Sequence, residues 1–165
     1  MDGKLTTEIL SILEDNARTT PGEIAMMLGL EEKAVASEIA RLEDEKVIVK
    51  YTAIINREKL EGDDFADALI EVNITPQREY GYDDLARRIY LFDEVRAVYL
   101  MAGSYDLAVR IQARSMKDIS KFVFEKLAVL DGVTSTVTLF IMRKYKERGV
   151  ILVDGEEDER LVVSP

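Results

Sequence analysis

Between Thr20 and Gly29 the chain carries both ends of one helix. Thr20 offers a hydroxyl acceptor, Pro21 a pre-set φ at the first helical position, and Glu23 the reciprocal acceptor three residues after the cap. Gly29 offers the left-handed residue that stops a helix. A helix held to two turns is not stable alone in water, so it must be packed between neighbours. The flanking sequence supplies them. Leu5, Ile9, Ile12 and Leu13 recur on one face of a helix that Asp2 is placed to cap and that runs to about Asp15, with Leu10 beside them. Within the short helix, Ile24, Met27 and Leu28 are expected to face inward. A third helix spans roughly 31–45, with Val35, Ile39 and Leu42 as its buried stripe. VIVKYTAII then alternates like a strand, and Tyr51-Thr52-Ala53 is expected in a short hairpin. Three small helices, a tight turn at Gly29-Leu30 and a hairpin make a winged helix-turn-helix. The alternative is a small helical bundle that happens to contain a tight turn.

With that stripe buried, the outward face of the third helix carries Lys33, Ala34, Ser37, Glu38 and Arg41. It is long enough to lie in a major groove. Glu31 and Glu32 fall in the first turn, where they suit the helix dipole, and Glu43, Asp44 and Glu45 fall at the far end. Glu38 alone is central. It either accepts from a cytosine amino group or is solvated or salt-bridged. Residues 1–62 hold 8 Lys+Arg against 13 Asp+Glu, a net of −5. Lys46, Lys50, Arg57 and Lys59 follow the helix and are placed to grip phosphates. Weak nonspecific binding with a shallow salt slope is therefore expected unless several copies act together.

Leu60-Glu61-Gly62-Asp63-Asp64 reads as a linker. From there the periodicity switches. FADALIEVNIT alternates, with Ala66, Ala68, Ile70, Val72 and Ile74 on one face, and Thr75-Pro76 ends it. A helix near 80–91 carries Leu85, Ile89 and Phe92. VRAVYLMA and YDLAVRIQA read as strands joined through Gly103-Ser104. Ser115 with Asp118 opens a further helix lined by Ile119, Phe122, Val123, Leu127 and Leu130, and Gly132 ends it. TSTVTLFIM is the last strand. The order β-α-β-β-α-β across about 64–142 is that of a ferredoxin-like domain. The fold class is therefore α+β, with domains expected at 1–59 and 60–149 and an acidic tail at 150–165. A sheet with helices on one face leaves the other to be covered, most economically by a second copy of the chain.

Candidate ligand chemistry in this half centres on MAGSYDLAV, residues 101–109. Gly103 admits close backbone approach, Tyr105 offers a ring and a hydroxyl, and Asp106 a carboxylate for an ammonium group. The alternative is an ordinary hairpin. Thr134, Ser135, Thr136 and Thr138 add hydroxyls nearby, although alternating threonines are also simply good strand formers.

The chain has no cysteine and no histidine among its 165 residues, and its formal net charge is −10. Disulfides, thiolate chemistry and the commonest metal ligand are excluded, which argues against an enzyme; no catalytic residue, metal site or cofactor is assigned. No run approaches the length needed to span a bilayer and the N-terminus lacks a secretion pattern, so a cytoplasmic protein without membrane contact is expected.

Taken together, the sequence resembles the Lrp/AsnC, or feast/famine, family of transcription regulators. Carrying the resemblance are Asn16-Ala17-Arg18, Ile24-Ala25 with Leu28-Gly29-Leu30, Val35 through Arg41-Leu42-Glu43, Val47-Ile48 with Tyr51-Thr52-Ala53, Gly103-Ser104-Tyr105-Asp106, and Asp131-Gly132-Val133 with Thr136 and Thr138. The resemblance implies binding to double-stranded promoter DNA. It also implies a ligand domain that dimerises and assembles further, to tetramers or octamers, around a small-molecule effector that is typically an amino acid. By carry-over, Lys33, Ser37, Arg41, Lys46 and Lys50 are DNA candidates, and Gly103, Ser104, Tyr105, Asp106, Thr136 and Thr138 effector candidates. Glu31 stands where the family usually has serine, and Glu38 where a base is frequent. Those acids motivate a second reading: a ligand-sensing subunit with weak or lost DNA binding that pairs with a paralogue.

Overall fold

The computed structural model describes residues 3–62, 65–75 and 81–153. The expected cap at Asp2, the stop at Pro76 and the acidic tail from 154 lie outside these residues. Two compact units divide between Ile55 and Asn56.

In the first unit, α1 (Gly3–Asp15), α2 (Pro21–Leu28) and α3 (Glu32–Asp44) enclose a core of Ile9, Leu13, Ile24, Ala25 and Val35, with Ile12, Leu28, Leu30, Ile39 and Ile48 packed around it. The capping box forms as the sequence predicts. The Thr20 hydroxyl accepts from Glu23 N–H at 3.3 Å, and the Glu23 carboxylate accepts from Thr20 N–H at 2.7 Å. Gly29 caps the far end with φ 66°. Met27, expected inside, is 65% exposed, and Ala25 takes the inner position. At about 100° per residue, Ile24, Ala25 and Leu28 share an arc from which Met27 is rotated away.

The expected hairpin over 47–55 is not formed, and no strand is assigned there. A hairpin needs a reversal, and Val47 to Ile55 contains no Gly, Pro, Asn or Asp to make one. A lone two-stranded ribbon is marginal in any case. Instead Lys46 closes α3 in the left-handed conformation (φ 60°), its N–H bonding Glu43 O at 3.1 Å while Val47 N–H bonds Leu42 O at 2.9 Å. This is a Schellman closure with lysine at the position that favours glycine. Lys46→Gly relieves the left-handed penalty and should stabilise this unit by roughly 0.5–1 kcal/mol, seen as a rise of a few degrees in its thermal midpoint. The extended segment beyond is held to α3 by Tyr51, whose hydroxyl donates to Glu43 at 2.8 Å.

The second unit is an antiparallel sheet in the order β2-β3-β1-β4, from β1 (Ala66–Ile74), β2 (Val95–Leu100), β3 (Leu107–Ala113) and β4 (Val133–Ile141). This is the ferredoxin-like βαββαβ arrangement. α4 (Tyr82–Tyr90) and α5 (Met116–Phe122), the latter continued by a π-helical turn over Val123–Leu127, cover one face. Ala68, Ile70 and Val72 of β1 meet Leu85, Ile89, Ile119, Phe122 and Leu127 there. Ser115 caps α5 by accepting from Asp118 N–H at 3.1 Å.

The other face carries Tyr99, Val137 and Leu139, all exposed. One end of it is taken by a further small hairpin. The short hairpin of β5 (Lys146–Glu147) and β6 (Val150–Ile151) is fastened to the sheet by ion pairs. Arg110 donates to both Glu147 oxygens at 2.7 and 2.9 Å, and Lys144 reaches the buried Asp67 at 2.8 Å. The Arg110 bonds hold the Glu147 carboxyl below its ordinary pKa. Asn56 donates to Leu152 O, and Arg143 pairs with Glu58 at 3.7 Å, which ties the start of this unit to its end.

Candidate nucleic-acid interface and effector site

The third helix is pinned from within. Val35 is fully buried, Leu42 is 2% exposed, and Ile39 packs against the core. Lys33, Ala36, Ser37 and Ala40 are left on the exposed side. Lys33 forms no ion pair among the described residues. Ala36, Ser37 and Ala40 beside it are small, so that side of the helix presents a low profile with one cation and one hydroxyl, next to the exposed acids Glu31 and Glu32 of the first turn. Lys46 and Lys50 are exposed just beyond the helix.

Glu38 does not face outward. Its side chain is 5% exposed, and its carboxylate accepts from Arg41 Nε at 3.1 Å, Arg41 Nη2 at 2.7 Å and the Thr6 hydroxyl of α1 at 2.6 Å. The outward expectation fails because Val35, Glu38 and Leu42 are themselves three and four residues apart, which is the spacing of one helical face. Arg41 is consequently occupied, since its Nη1 also reaches Glu45 at 2.5 Å. The hydrogen bonds from Arg41 and then Thr6 hold the Glu38 carboxyl down to about 2, against the usual carboxylate value near 4.5, and raise the Arg41 guanidinium. A carboxyl with a depressed folded pKa stabilises the native state above its unfolded pKa and ceases to as pH falls through the folded one. The first unit should therefore lose stability between about pH 4.5 and pH 2, and Glu38→Gln should flatten that part of a pH titration of its thermal midpoint.

The effector candidates sit at one end of the sheet. Gly103 and Ser104 are exposed in the β2–β3 connection, Tyr105 and Asp106 half-buried. Asp106 is tied to its own protein through both main chain and side chain. Its N–H donates to Val72 O at 3.0 Å and its C=O accepts from Met101 N–H at 2.8 Å. Its carboxylate accepts from Ile74 N–H at 2.7 Å and more distantly from the Tyr82 hydroxyl at 3.4 Å. The ladder between β1 and β3 stops at Val72↔Leu107, so the Asp106 side chain serves the next inward N–H of β1 in place of a strand. Thr136 and Thr138 lie opposite Val72 and Ile70 on the other side of β1 and share their helix-covered face. Leu107 and Thr136 thus flank Val72 of β1, and Asp106, next to Leu107, lies across β1 from Thr136, about two strand spacings or roughly 10 Å away. Thr134 and Ser135 are spent locally, on Asn73 O at 3.1 Å and Asn73 Nδ2 at 3.0 Å. Tyr82 and Thr6, each holding a carboxylate, went unnoticed in the sequence because nothing local distinguishes them.

A trihelical unit exposing a low, polar helix face, joined to a βαββαβ unit with polar groups gathered at one sheet end, defines a two-domain transcriptional regulator. Residues 4–49 match the family model for winged helix-turn-helix DNA-binding domains, and residues 67–151 that for the Lrp/AsnC ligand binding domain. The chain belongs to the Lrp/AsnC family of transcriptional regulators. It is 48% identical, over 96% of both chains, to the uncharacterized HTH-type transcriptional regulator YugG of Bacillus subtilis. Among solved structures it is similar to PH0061, with a TM-score of 0.77 at 22% identity, covering 92% of this chain and 99% of that one. It is also similar to the transcriptional regulator NMB0573 of Neisseria meningitidis in complex with L-Met, with a TM-score of 0.71 at 23% identity over 89% and 94% of the two chains. Among the described residues no helix is long and apolar enough to cross a membrane.

Proposed function

We propose that this regulator binds double-stranded promoter DNA through Lys33 and Ser37 of α3, with Lys46 and Lys50 on backbone phosphates, and that an amino acid modulates that binding from the Gly103–Asp106 end of the sheet unit. The exposed Lys33–Ser37 face over a buried Val35–Leu42 stripe carries the DNA reading. The L-Met bound by NMB0573 supports the ligand class. Tyr105, the two unspent acceptor positions of Asp106, and the hydroxyls of Thr136 and Thr138 have the chemistry for an ammonium and a carboxylate. The bare sheet face with Tyr99, Val137 and Leu139 supports a homodimer packed sheet to sheet, the unit from which tetramers or octamers are built. The effector acts by binding two assembly or DNA-binding states unequally.

The test is a gel shift at low salt on the DNA flanking the protein's own gene, with and without pooled amino acids. Retardation by wild type that weakens in Lys33→Ala, with a salt slope shallower by about one unit, is the expected result. No retardation at micromolar protein under any of these conditions overturns the reading.

A further inference from the structure

Arg41 is gripped from two sides that differ in kind. On one side stands Glu38, 5% exposed, taking Nε and Nη2 and itself fixed to α1 by Thr6. On the other stands Glu45, one turn on, whose side chain is 52% exposed and which takes a single Nη1 hydrogen. A guanidinium has five N–H donors, and three are used here, leaving one on each terminal nitrogen. The buried grip orients the group. The exposed pair contributes little and is screened by salt. A backbone phosphate carries the same charge as the Glu45 carboxylate, matches the guanidinium fork, and bonds it as a strong charge-assisted acceptor. Replacing Glu45 by phosphate therefore needs no change at Glu38.

We infer that Glu38 is a positioning residue that holds Arg41 for a DNA backbone phosphate, and that Glu45 occupies the phosphate's place when no DNA is bound. This rests on the reading of α3 as the DNA-contacting helix. It gives the acids of that helix two separate roles, one orienting a cation and one competing for it. Displacing that internal carboxylate offsets part of the phosphate contact, so a duplex that brings a phosphate to Arg41 binds more weakly than it would without Glu45, and nonspecific binding is restrained without loss of the cation.

The experiment is a double-substitution cycle with Glu45→Gln and Arg41→Ala, both at exposed positions, read by fluorescence anisotropy on a mixed-sequence DNA duplex across a salt series. Thermal midpoints establish that each variant is folded. Glu45→Gln should tighten binding several-fold at low salt and steepen the dependence of log Kd on log salt by about one unit, the signature of one added phosphate contact. In the Arg41→Ala background the same substitution should change affinity by less than about twofold, because its effect runs through Arg41. Glu38→Gln, where folded, should abolish the gain that Glu45→Gln brings. Equal tightening with and without Arg41, or an unchanged slope, means that Glu45 acts only through net charge and overturns the inference while the DNA reading stands. Absence of binding by wild type and every variant at the lowest salt overturns the DNA reading and the inference with it.

Discussion

Ile24→Ala should cost the first unit roughly 2–5 kcal/mol, the range for truncating a fully buried isoleucine into a packed core. A unit of this size is stabilised by only about 3–8 kcal/mol at typical per-residue values, so the loss consumes most of what holds it folded. Ile24 sits on the two-turn α2, which has no independent stability and contributes its inner face to the same cluster as Ile9, Leu13 and Val35. Once that cluster is opened, α3 is no longer pinned and the Lys33–Ser37 face has no fixed presentation. DNA binding should fall with the folded fraction of the unit, about tenfold for each 1.4 kcal/mol by which the loss exceeds the unit's stability. The second unit has its own core around Ile70, Ile89 and Leu127. Its thermal transition, and the amino-acid binding proposed for it, should therefore persist in the same variant. Met26→Ala on the same helix is the control: Met26 is 84% exposed, and its loss should change stability by under about 0.5 kcal/mol. Differential scanning calorimetry with anisotropy on the same samples checks both halves. A single transition that falls as a whole would show that the two cores are not separable.

The parts of this molecule that were legible in the sequence are those whose signal is local. The capping box at Thr20–Glu23 and the stop at Gly29 use residues within one turn of each other, and both stand in the structure with their hydrogen bonds made. The sheet unit was legible because inward alternation along Ala68, Ile70 and Val72, and helical spacing along Ile119, Phe122 and Leu127, each identify one face. The run over 47–55 shows the limit. Alternation says that a segment has two faces, but it does not supply a strand to pair with, and here the chain offers neither turn nor partner. Glu38 is salt-bridged, as one of its two readings had it, but its facing was misread, for the opposite reason. Its spacing from Val35 and Leu42 placed it inside, yet its charge suggested water, and the interaction that resolves the conflict comes from Thr6, 32 residues away. Its partners Arg41 and Glu45 stand at the helix-neighbour spacings of three and four, so that half of the cluster was written in the sequence. At the β2–β3 connection, Gly103–Asp106 was visible as a motif. That Asp106 bonds β1 and reaches α4 was not, because Ile74 and Tyr82 are distant in sequence.

The dual position of Asp106 makes its substitutions the sharpest test of the sheet unit. Asp106→Ala removes the acceptor for Ile74 N–H, at the place where the ladder to β3 has already ended and where the β1–β4 register shifts between Asn73 and Ile74. A half-buried amide left without a partner costs about 1–3 kcal/mol, and the second unit's thermal midpoint should fall accordingly. Asp106→Asn keeps an oxygen for Ile74 and should recover most of that loss. It does not keep the negative charge. If the carboxylate also receives an effector ammonium at its remaining acceptor positions, a charge-assisted bond worth about 1.5–3 kcal/mol disappears. Amino-acid affinity should then drop at least about tenfold in a protein that is still folded. Isothermal titration calorimetry with the amino acid that most raises the wild-type midpoint measures it. The two variants separate the two roles: a defect confined to Asp106→Ala marks a brace between β1 and β3, whereas a folded Asp106→Asn that no longer binds marks a ligand contact. Wild-type affinity in Asp106→Asn would remove Asp106 from the effector site and leave the polar groups of Tyr105, Thr136 and Thr138 to account for recognition.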